Sequence, residues 1–80
     1  MDNFARMRAF VAVVDAGGFS AAGRRDGRSK ALLSKHVAEL EERLGIRLIN
    51  RTSRKFSLTE AGRSYHREAA DILARVDALE

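Results

Sequence analysis

The stretch that decides the fold is residues 17–62, GGFSAAGRRDGRSKALLSKHVAELEERLGIRLINRTSRKFSLTEAG. It contains two helix-forming runs separated by a turn at Gly27, followed by a basic, β-prone ribbon over residues 47–58. Ser20 and Ser29 each stand where a hydroxyl can accept a hydrogen bond from the first free amides of a helix. We therefore predict helix, turn, helix and wing in that order, a shape that the grooves of a DNA duplex can accept.

Apolar periodicity predicts the helices on either side of the turn. A first helix over residues 2–15 is indicated by apolar residues at three- and four-residue steps, namely Phe4, Met7, Phe10, Val11 and Val14. The helix after Ser20 runs to about Arg25, and the helix after Ser29 ends at Gly45. The buried face of this third helix is predicted to carry Leu33, Val37, Leu40 and Leu44. We expect the four phenylalanines, Phe4, Phe10, Phe19 and Phe56, to lie in the core rather than to stack on bases.

A long final helix is predicted from Glu60 to the last residue, with Thr59 as its cap. It carries a regular apolar seam, Tyr65, Ala69, Ile72, Val76 and Leu79. We expect this seam to pair with a second copy, although it could instead pack onto its own domain or onto a further one. Because no stop signal follows, we also expect the chain to be the amino-terminal piece of a longer protein.

The predicted fold class is mainly α, a winged helix-turn-helix with a three-helix core plus a β-hairpin wing, followed by a long linker helix. The hairpin is expected from residues 46–50 and 56–58, joined by the polar link at residues 51–55. The predicted boundaries are residues 1–59 for the DNA-binding domain and residues 60–80 for the start of the linker helix. A chain of 80 residues has a marginal core, and without cysteine it cannot be stabilised by disulfides.

Charge placement is more informative than net charge. The excess of 15 Lys and Arg over 11 Asp and Glu gives only +4, which is compatible with many ordinary proteins. However, the five Lys and Arg residues from Arg24 to Lys35 are accompanied by a single acidic residue, Asp26, and the ribbon is similarly basic. These segments are predicted to face a polyanion, although a merely solvated charged face is the alternative. The sequence shows no signal peptide or membrane-spanning run, so we expect a cytoplasmic protein.

No pattern in the chain favours catalysis or metal binding. His36 and His66 have no Cys or carboxylate partners at ligand spacing, so no metal site is predicted. Glu41 and Glu42 are adjacent and therefore point in different directions on a helix, which excludes a facing acid–base pair. We expect neither an enzyme nor a cofactor in this domain.

Several segments together resemble the amino-terminal domain of LysR-type transcriptional regulators. They are residues 9–14 (AFVAVV), 18–22 (GFSAA), Ser34, 40–45 (LEERLG), Leu48, Arg51, Thr52 and 58–62 (LTEAG). The resemblance implies sequence-specific binding to double-stranded operator DNA in the bacterial cytoplasm, at the nucleoid. It also implies a homodimer through the linker helix, tetramers in the full protein, and a small-molecule effector bound by a domain absent here.

The resemblance places functional roles on matching positions. Residues 29–37 look like the recognition segment, which implies base contacts from Lys30, Ala31, Ser34 and Lys35 in the major groove. Contacts with the DNA backbone, including wing contacts in the minor groove, are expected from Ser20, Arg24, Arg28, Ser29, His36, Arg51, Thr52, Arg54 and Lys55. Dimerisation is expected from Tyr65, Ala69, Ile72, Val76 and Leu79.

Three residues depart from the family pattern near the turn, Asp26, Arg28 and Lys30. Asp26 and Arg28 replace apolar residues beside the turn glycine, and Lys30 stands where glutamine is frequent. We expect Asp26 and Arg28 to pair across the turn and Arg28 to contact a phosphate. Two rival functions remain open at this point, a basic helical module that docks a protein or an anionic membrane, and a winged helix of another regulator family.

Overall fold

The computed structural model describes residues 3–52 and 54–80, and this part of the chain is mainly helical. Its helices are α1 (Asn3–Ala16), α2 (Phe19–Asp26), α3 (Lys30–Leu44) and α4 (Glu60–Leu79). All four predicted helices are therefore confirmed. The predicted start of the first helix at Asp2, and Ser53 in the predicted wing link, lie outside the described residues. The chain divides into two compact units, one ending at Ile46 and the other spanning Arg47–Glu80.

The first unit is a three-helix core in which α1 packs against α2 and α3, and α2 packs against α3. Its buried apolar side chains are Ala9, Phe10 and Val13 from α1, Ala22 from α2, and Leu33, Val37 and Leu40 from α3. The core position predicted for Phe10 is confirmed. Phe4 is 49% exposed and Leu44 is also exposed, so their predicted burial is wrong. Both stand in the terminal turn of a helix, beyond the part that is packed.

Left-handed glycines end α2 and α3. Gly27 has φ 68° and donates its amide to the Gly23 carbonyl, and Gly45 has φ 72° and donates to the Glu41 carbonyl. Glycine adopts this conformation without the steric cost that a Cβ would bring. The turn between α2 and α3 therefore lies where the sequence predicted it.

Two of the three predicted serine and threonine caps are present. The Ser29 hydroxyl accepts a hydrogen bond from the Leu32 amide at 3.0 Å, and the Thr59 hydroxyl accepts one from the Gly62 amide at 2.9 Å. The predicted cap at Ser20 is wrong. The helix begins one residue earlier, at Phe19, with Gly18 as its N-cap and no side-chain cap bond. Ser20 consequently lies inside the first turn, past the position from which a hydroxyl caps a helix.

The second unit begins with the basic ribbon, but the described residues contain no β-strand there. The predicted hairpin is reduced to one isolated antiparallel bridge, between Ile49 and Leu58. Around this bridge, the Asn50 amide donates to the Ser57 carbonyl at 3.0 Å. The Asn50 side chain also donates to the Ser57 hydroxyl and to the Leu58 carbonyl. These side-chain bonds hold the two halves of the ribbon together beside the single bridge.

The end of the ribbon is joined tightly to the start of α4. The Thr59 amide donates to the Leu48 carbonyl at 3.0 Å, and its hydroxyl donates to the Arg47 carbonyl at 2.7 Å. Gly62, in the first turn of α4, is buried, and the Leu48 carbonyl occupies the space where a Cβ would project. Among the described residues, none of the helices combines the length and apolar character that crossing a bilayer requires.

The close approach of Leu48 to Gly62 predicts an unusual response to alanine. In an ordinary helix interior, replacing glycine by alanine stabilises by about 0.8–1 kcal/mol. We expect Gly62→Ala to do the opposite and lower the free energy of unfolding by about 1–3 kcal/mol, because the new methyl group overlaps backbone. Urea denaturation followed by circular dichroism measures the change. Ser64→Ala, on the exposed part of the same helix turn, is the control and should stay within about 0.5 kcal/mol of the parent; a stabilised Gly62→Ala would contradict this packing.

Candidate nucleic-acid interface

The amino-terminal turns of α3 present a polar and basic surface. Lys30, Ala31 and Lys35 are exposed and Ser34 is half-buried, so the structure brings the four predicted base-contacting residues together. The opposite side of the helix is buried through Leu33 and the rest of the apolar stripe. The structure adds Leu32, which the sequence analysis did not single out and which is exposed beside Ala31. Its position off the stripe of Leu33 and Val37 was the available signal.

His36 lies on the buried side of the same helix. It is only 6% exposed, and neither ring nitrogen has a hydrogen-bond partner among the described residues. His36 lies three residues after Leu33, which places it on the apolar face. This burial does not favour the expected contact of His36 with a backbone phosphate, which stays a prediction.

A solvent-open pocket lies between α2 and the start of α3. It has a volume of about 390 Å³ and is lined by Ser20, Gly23, Arg24, Arg28 and Lys30. Three of these five residues are cationic, and two of them, Arg24 and Lys30, are exposed. The pocket therefore collects positive charge at the point where the recognition helix begins.

Gly23 permits this close arrangement. A Cβ at this position would lie 2.8 Å from the Arg28 carbonyl oxygen and 3.6 Å from the Lys30 amide nitrogen. Only a residue without a side chain lets the backbone of α2 approach the turn so closely. The sequence analysis did not identify Gly23, although a glycine inside a predicted helix is a known signal of close packing.

Asp26 is the acidic residue beside these basic side chains. One of its carboxylate oxygens lies 3.4 Å from Nε of Arg25, and the other lies 3.9 Å from a guanidinium nitrogen of Arg28. The predicted pairing of Asp26 with Arg28 is confirmed. Both pairs are solvent-accessible, so each contributes about 0–1 kcal/mol to stability.

The second unit also has exposed basic side chains. The ribbon residues Arg51, Thr52, Arg54 and Lys55 are all exposed. They follow the half of the ribbon that contains Ile49 and precede the half that contains Leu58. Since exposed side chains on a short connection are available for contact, the ribbon can offer positive charge to a ligand.

The predicted seam of α4 is divided between buried and exposed residues. Ala69 is only 2% exposed and is thus already packed within the chain, which does not favour its predicted contact with a partner. Ile72 is 43% exposed and Leu79 is 88% exposed, while Tyr65 and Val76 are half-buried. Burial raises the pKa of the Tyr65 hydroxyl above its ordinary value of 10.0.

The part of the chain that the structure describes contains no group of three or more His, Cys, Asp or Glu side chains arranged to hold a metal ion. The chemistry available at the exposed surface is instead that of cations, hydroxyls and backbone amides. These are the groups that contact phosphates and base edges in protein–DNA complexes.

Residues 4–63 match the family described as bacterial regulatory helix-turn-helix protein, lysR family. The chain belongs to this family. It is thus the helix-turn-helix domain of a LysR-type regulator rather than an enzyme. The predicted resemblance is confirmed over more than half of the sequence.

Curated relatives of this LysR-family chain are transcriptional regulators. An HTH-type transcriptional repressor of Pseudomonas aeruginosa is 45% identical over 100% of this chain and 25% of its own length. The regulator CrgA of Neisseria meningitidis is 42% identical over 98% of this chain and 26% of its own length. The chain therefore spans about a quarter of the length of these relatives.

Solved structures of LysR-type proteins share the fold. The crystal structure of the BenM DNA-binding domain in complex with catB site 1 DNA has a TM-score of 0.91 and 34% identity, and it covers 99% of this chain and 88% of that one. The structure of CrgA has a TM-score of 0.80 and 40% identity, over 99% of this chain and 27% of CrgA. The described helices of this chain therefore have the same fold as these LysR-type proteins.

The caps around the LysR-family turn give a paired stability prediction. Ser29→Ala removes the hydrogen bond to the Leu32 amide and should lower the free energy of unfolding by about 0.5–2 kcal/mol. Ser20→Ala, at a serine that caps nothing, should change it by less than about 0.5 kcal/mol. Chemical denaturation of the two variants side by side measures the difference. An equal loss in both would mean that Ser20 has a capping role after all.

Proposed function

We propose that this domain binds double-stranded DNA sequence-specifically, with the first two turns of α3 in the major groove. The observation that carries the proposal is the division of α3 into two faces. One face is buried in the three-helix core, and the other exposes Lys30, Ala31 and Lys35. A helix held in this way can enter a groove without losing its packing. The complex of the related BenM domain with catB site 1 DNA supports the proposal.

Base contacts are proposed for four residues of α3. Lys30 and Lys35 can donate to the O6 and N7 acceptors of guanine, and Ser34 can contact either a base or a phosphate. The methyl group of Ala31 can touch the methyl group of a thymine. Because few side chains reach the bases, the specificity of binding should depend strongly on each.

Backbone contacts are proposed around the helix starts. Arg24 and Arg28 supply cations, and Ser20 and Ser29 lie in or before the first turns of α2 and α3. Free amides at these turns carry partial positive charge and suit phosphate oxygens. Such contacts fix the position of the protein on the duplex without selecting a sequence.

The basic ribbon is proposed to act as the wing. Its exposed residues, Arg51, Thr52, Arg54 and Lys55, would lie along the minor groove. A narrow minor groove has an enhanced negative potential, which favours an inserted Arg54. The antiparallel bridge between Ile49 and Leu58 supports a hairpin-like arrangement of the two halves of the ribbon.

Self-association through α4 is proposed for Tyr65, Ile72, Val76 and Leu79. The exposure of Ile72 and Leu79, seven residues apart, supports a contact along one edge of the helix. Two copies would place two α3 helices on one duplex, so the operator should contain paired half-sites, with tetramers in the full-length regulator. Since the relatives are about four times longer than this chain, we propose that any small-molecule effector is sensed outside these 80 residues, in a regulator of the bacterial cytoplasm that acts at the nucleoid.

Substitutions in α3 and in the ribbon should have different effects on DNA binding. A cognate duplex is first selected from a random pool. Lys35→Ala should then weaken binding to that duplex by about 1–3 kcal/mol while affecting a scrambled duplex less. Lys55→Ala should weaken binding to both equally and lower the magnitude of the salt slope by about 1. Equal losses on cognate and scrambled DNA for Lys35→Ala would contradict its base-reading role, and failure to select any duplex would contradict the proposed function.

The proposed α4 contact can be tested apart from DNA. Ile72→Glu places a charge on the exposed edge of the seam and should shift the protein from dimer to monomer in sedimentation equilibrium. Ala74→Glu adds the same charge to an exposed position on the opposite side of α4 and is the matched control. A dimer that persists in Ile72→Glu, or that Ala74→Glu disrupts equally, would rule out this edge as the interface.

A further inference from the structure

We propose that the pocket between α2 and α3 seats one phosphodiester group of the DNA backbone, and that Asp26 competes internally with this phosphate for Arg28. The proposal rests on the DNA binding proposed above and deepens it. Arg24, Arg28 and Lys30 line the pocket, and no carboxylate is among its lining residues. A phosphate seated there would lie at the start of the recognition helix, where it would fix the position of Lys30 and the residues that follow.

The shape of the pocket suits an anion of this size. Its volume of about 390 Å³ leaves room for a phosphate group. Gly23 presents no side chain at the pocket wall, and Ser20 can donate its hydroxyl hydrogen to a phosphate oxygen. The pocket is open to solvent, as a site for a group that remains part of a polymer must be.

Arg28 is held by Asp26 in the absence of DNA, but only weakly. The nearest guanidinium nitrogen lies 3.9 Å from the carboxylate oxygen, and both groups are partly exposed. A phosphate can accept two parallel hydrogen bonds from a guanidinium, which is a stronger arrangement than this single long contact. Arg28 can therefore exchange Asp26 for phosphate, while Asp26 keeps its contact with Arg25 at 3.4 Å.

The location of Asp26 is unfavourable for the helix that carries it. Asp26 is the last residue of α2, where the partial negative charge of the helix end repels a carboxylate. Its effect on DNA binding would also be unfavourable, because it attracts the Arg28 guanidinium that would otherwise contact the phosphate. Asp26 would thus reduce affinity for every sequence alike, which leaves binding more dependent on base contacts.

The test measures dissociation constants for cognate and scrambled duplexes at several salt concentrations. Arg28→Gln should weaken binding to both by about tenfold, the value of a lost charge-assisted contact, and lower the salt slope by about 1. Asp26→Asn should tighten binding to both by about two- to fivefold, the equivalent of one exposed ion pair. The double variant carries the proposal, since Asp26→Asn should have almost no effect once Arg28 is glutamine.

Matched controls separate the pocket from net charge. Arg43→Gln removes an exposed base at the other end of α3, and Asp71→Asn removes an exposed acid on α4. Both should change DNA affinity much less than the corresponding pocket variants. Circular dichroism melting of each variant shows whether its fold is retained, and Asp26→Asn, which adds no bulk, keeps the test informative if Arg28→Gln is destabilised.

The outcomes distinguish the two proposals. If the unmodified protein binds no duplex, the proposed function fails. If it binds but Arg28→Gln behaves like Arg43→Gln, or if Asp26→Asn tightens binding equally in the presence and absence of Arg28, only the pocket proposal fails. Exchange of chloride for inorganic phosphate at constant ionic strength should leave DNA binding unchanged. Saturable displacement of DNA by free phosphate would mean that the pocket takes the free anion and would overturn its assignment to the duplex.

Discussion

The packing of α3 against α1 is the constraint on which the proposed interface depends. Leu33, Val37 and Leu40 are buried with Phe10 and Val13 of the helix that α3 packs against. Because side chains on a helix are fixed relative to each other, burial of this stripe determines which residues remain outside. Lys30, Ala31 and Lys35 are exposed for that reason. A rotation of α3 about its axis would bury charged groups and expose leucines, and both changes are unfavourable.

A further tie joins the same two helices at their polar margin. Nε of Arg6 on α1 lies 3.5 Å from a carboxylate oxygen of Glu39 on α3. The pair is only partly exposed, with the Arg6 side chain the more buried of the two. The pair adds little stability, since partly exposed ion pairs contribute little free energy. Apolar burial is therefore the main interaction that holds α3 in place.

The sequence predicted features that depend on local periodicity and missed those that depend on distant contacts. Gly27, Gly45, Ser29 and Thr59 were placed correctly because helix ends have strong local signals. The burial of His36 was missed because its polar character outweighed its spacing from Leu33. The cap at Ser20 was predicted wrongly because the sequence does not show that α2 begins one residue earlier, at Phe19.

The candidate site was likewise predicted only in part. The exposed basic residues of α3 follow from the position of its apolar stripe, so they could be named from the sequence. The pocket requires the backbone of α2 at Gly23 to approach the carbonyl of Arg28, and no local pattern gives that distance. The reduced pairing of the ribbon, to one bridge between Ile49 and Leu58, likewise has no local signal in the sequence. Loss of regular strand pairing could not be inferred from β-propensity alone.

The two edges of α4 differ in burial. Gly62, Ala69 and Leu73 are buried within the chain, so substitutions there affect folding before they affect association. Ile72 and Leu79 remain exposed. Burying them would remove apolar surface from water, which contributes about 25 cal/mol of favourable free energy per Å². A small domain with a marginal core gains most from such burial when it pairs with a second copy. Since the exposed residues contribute little to the monomer, a change at Ile72 can alter association while the three-helix core keeps its packing.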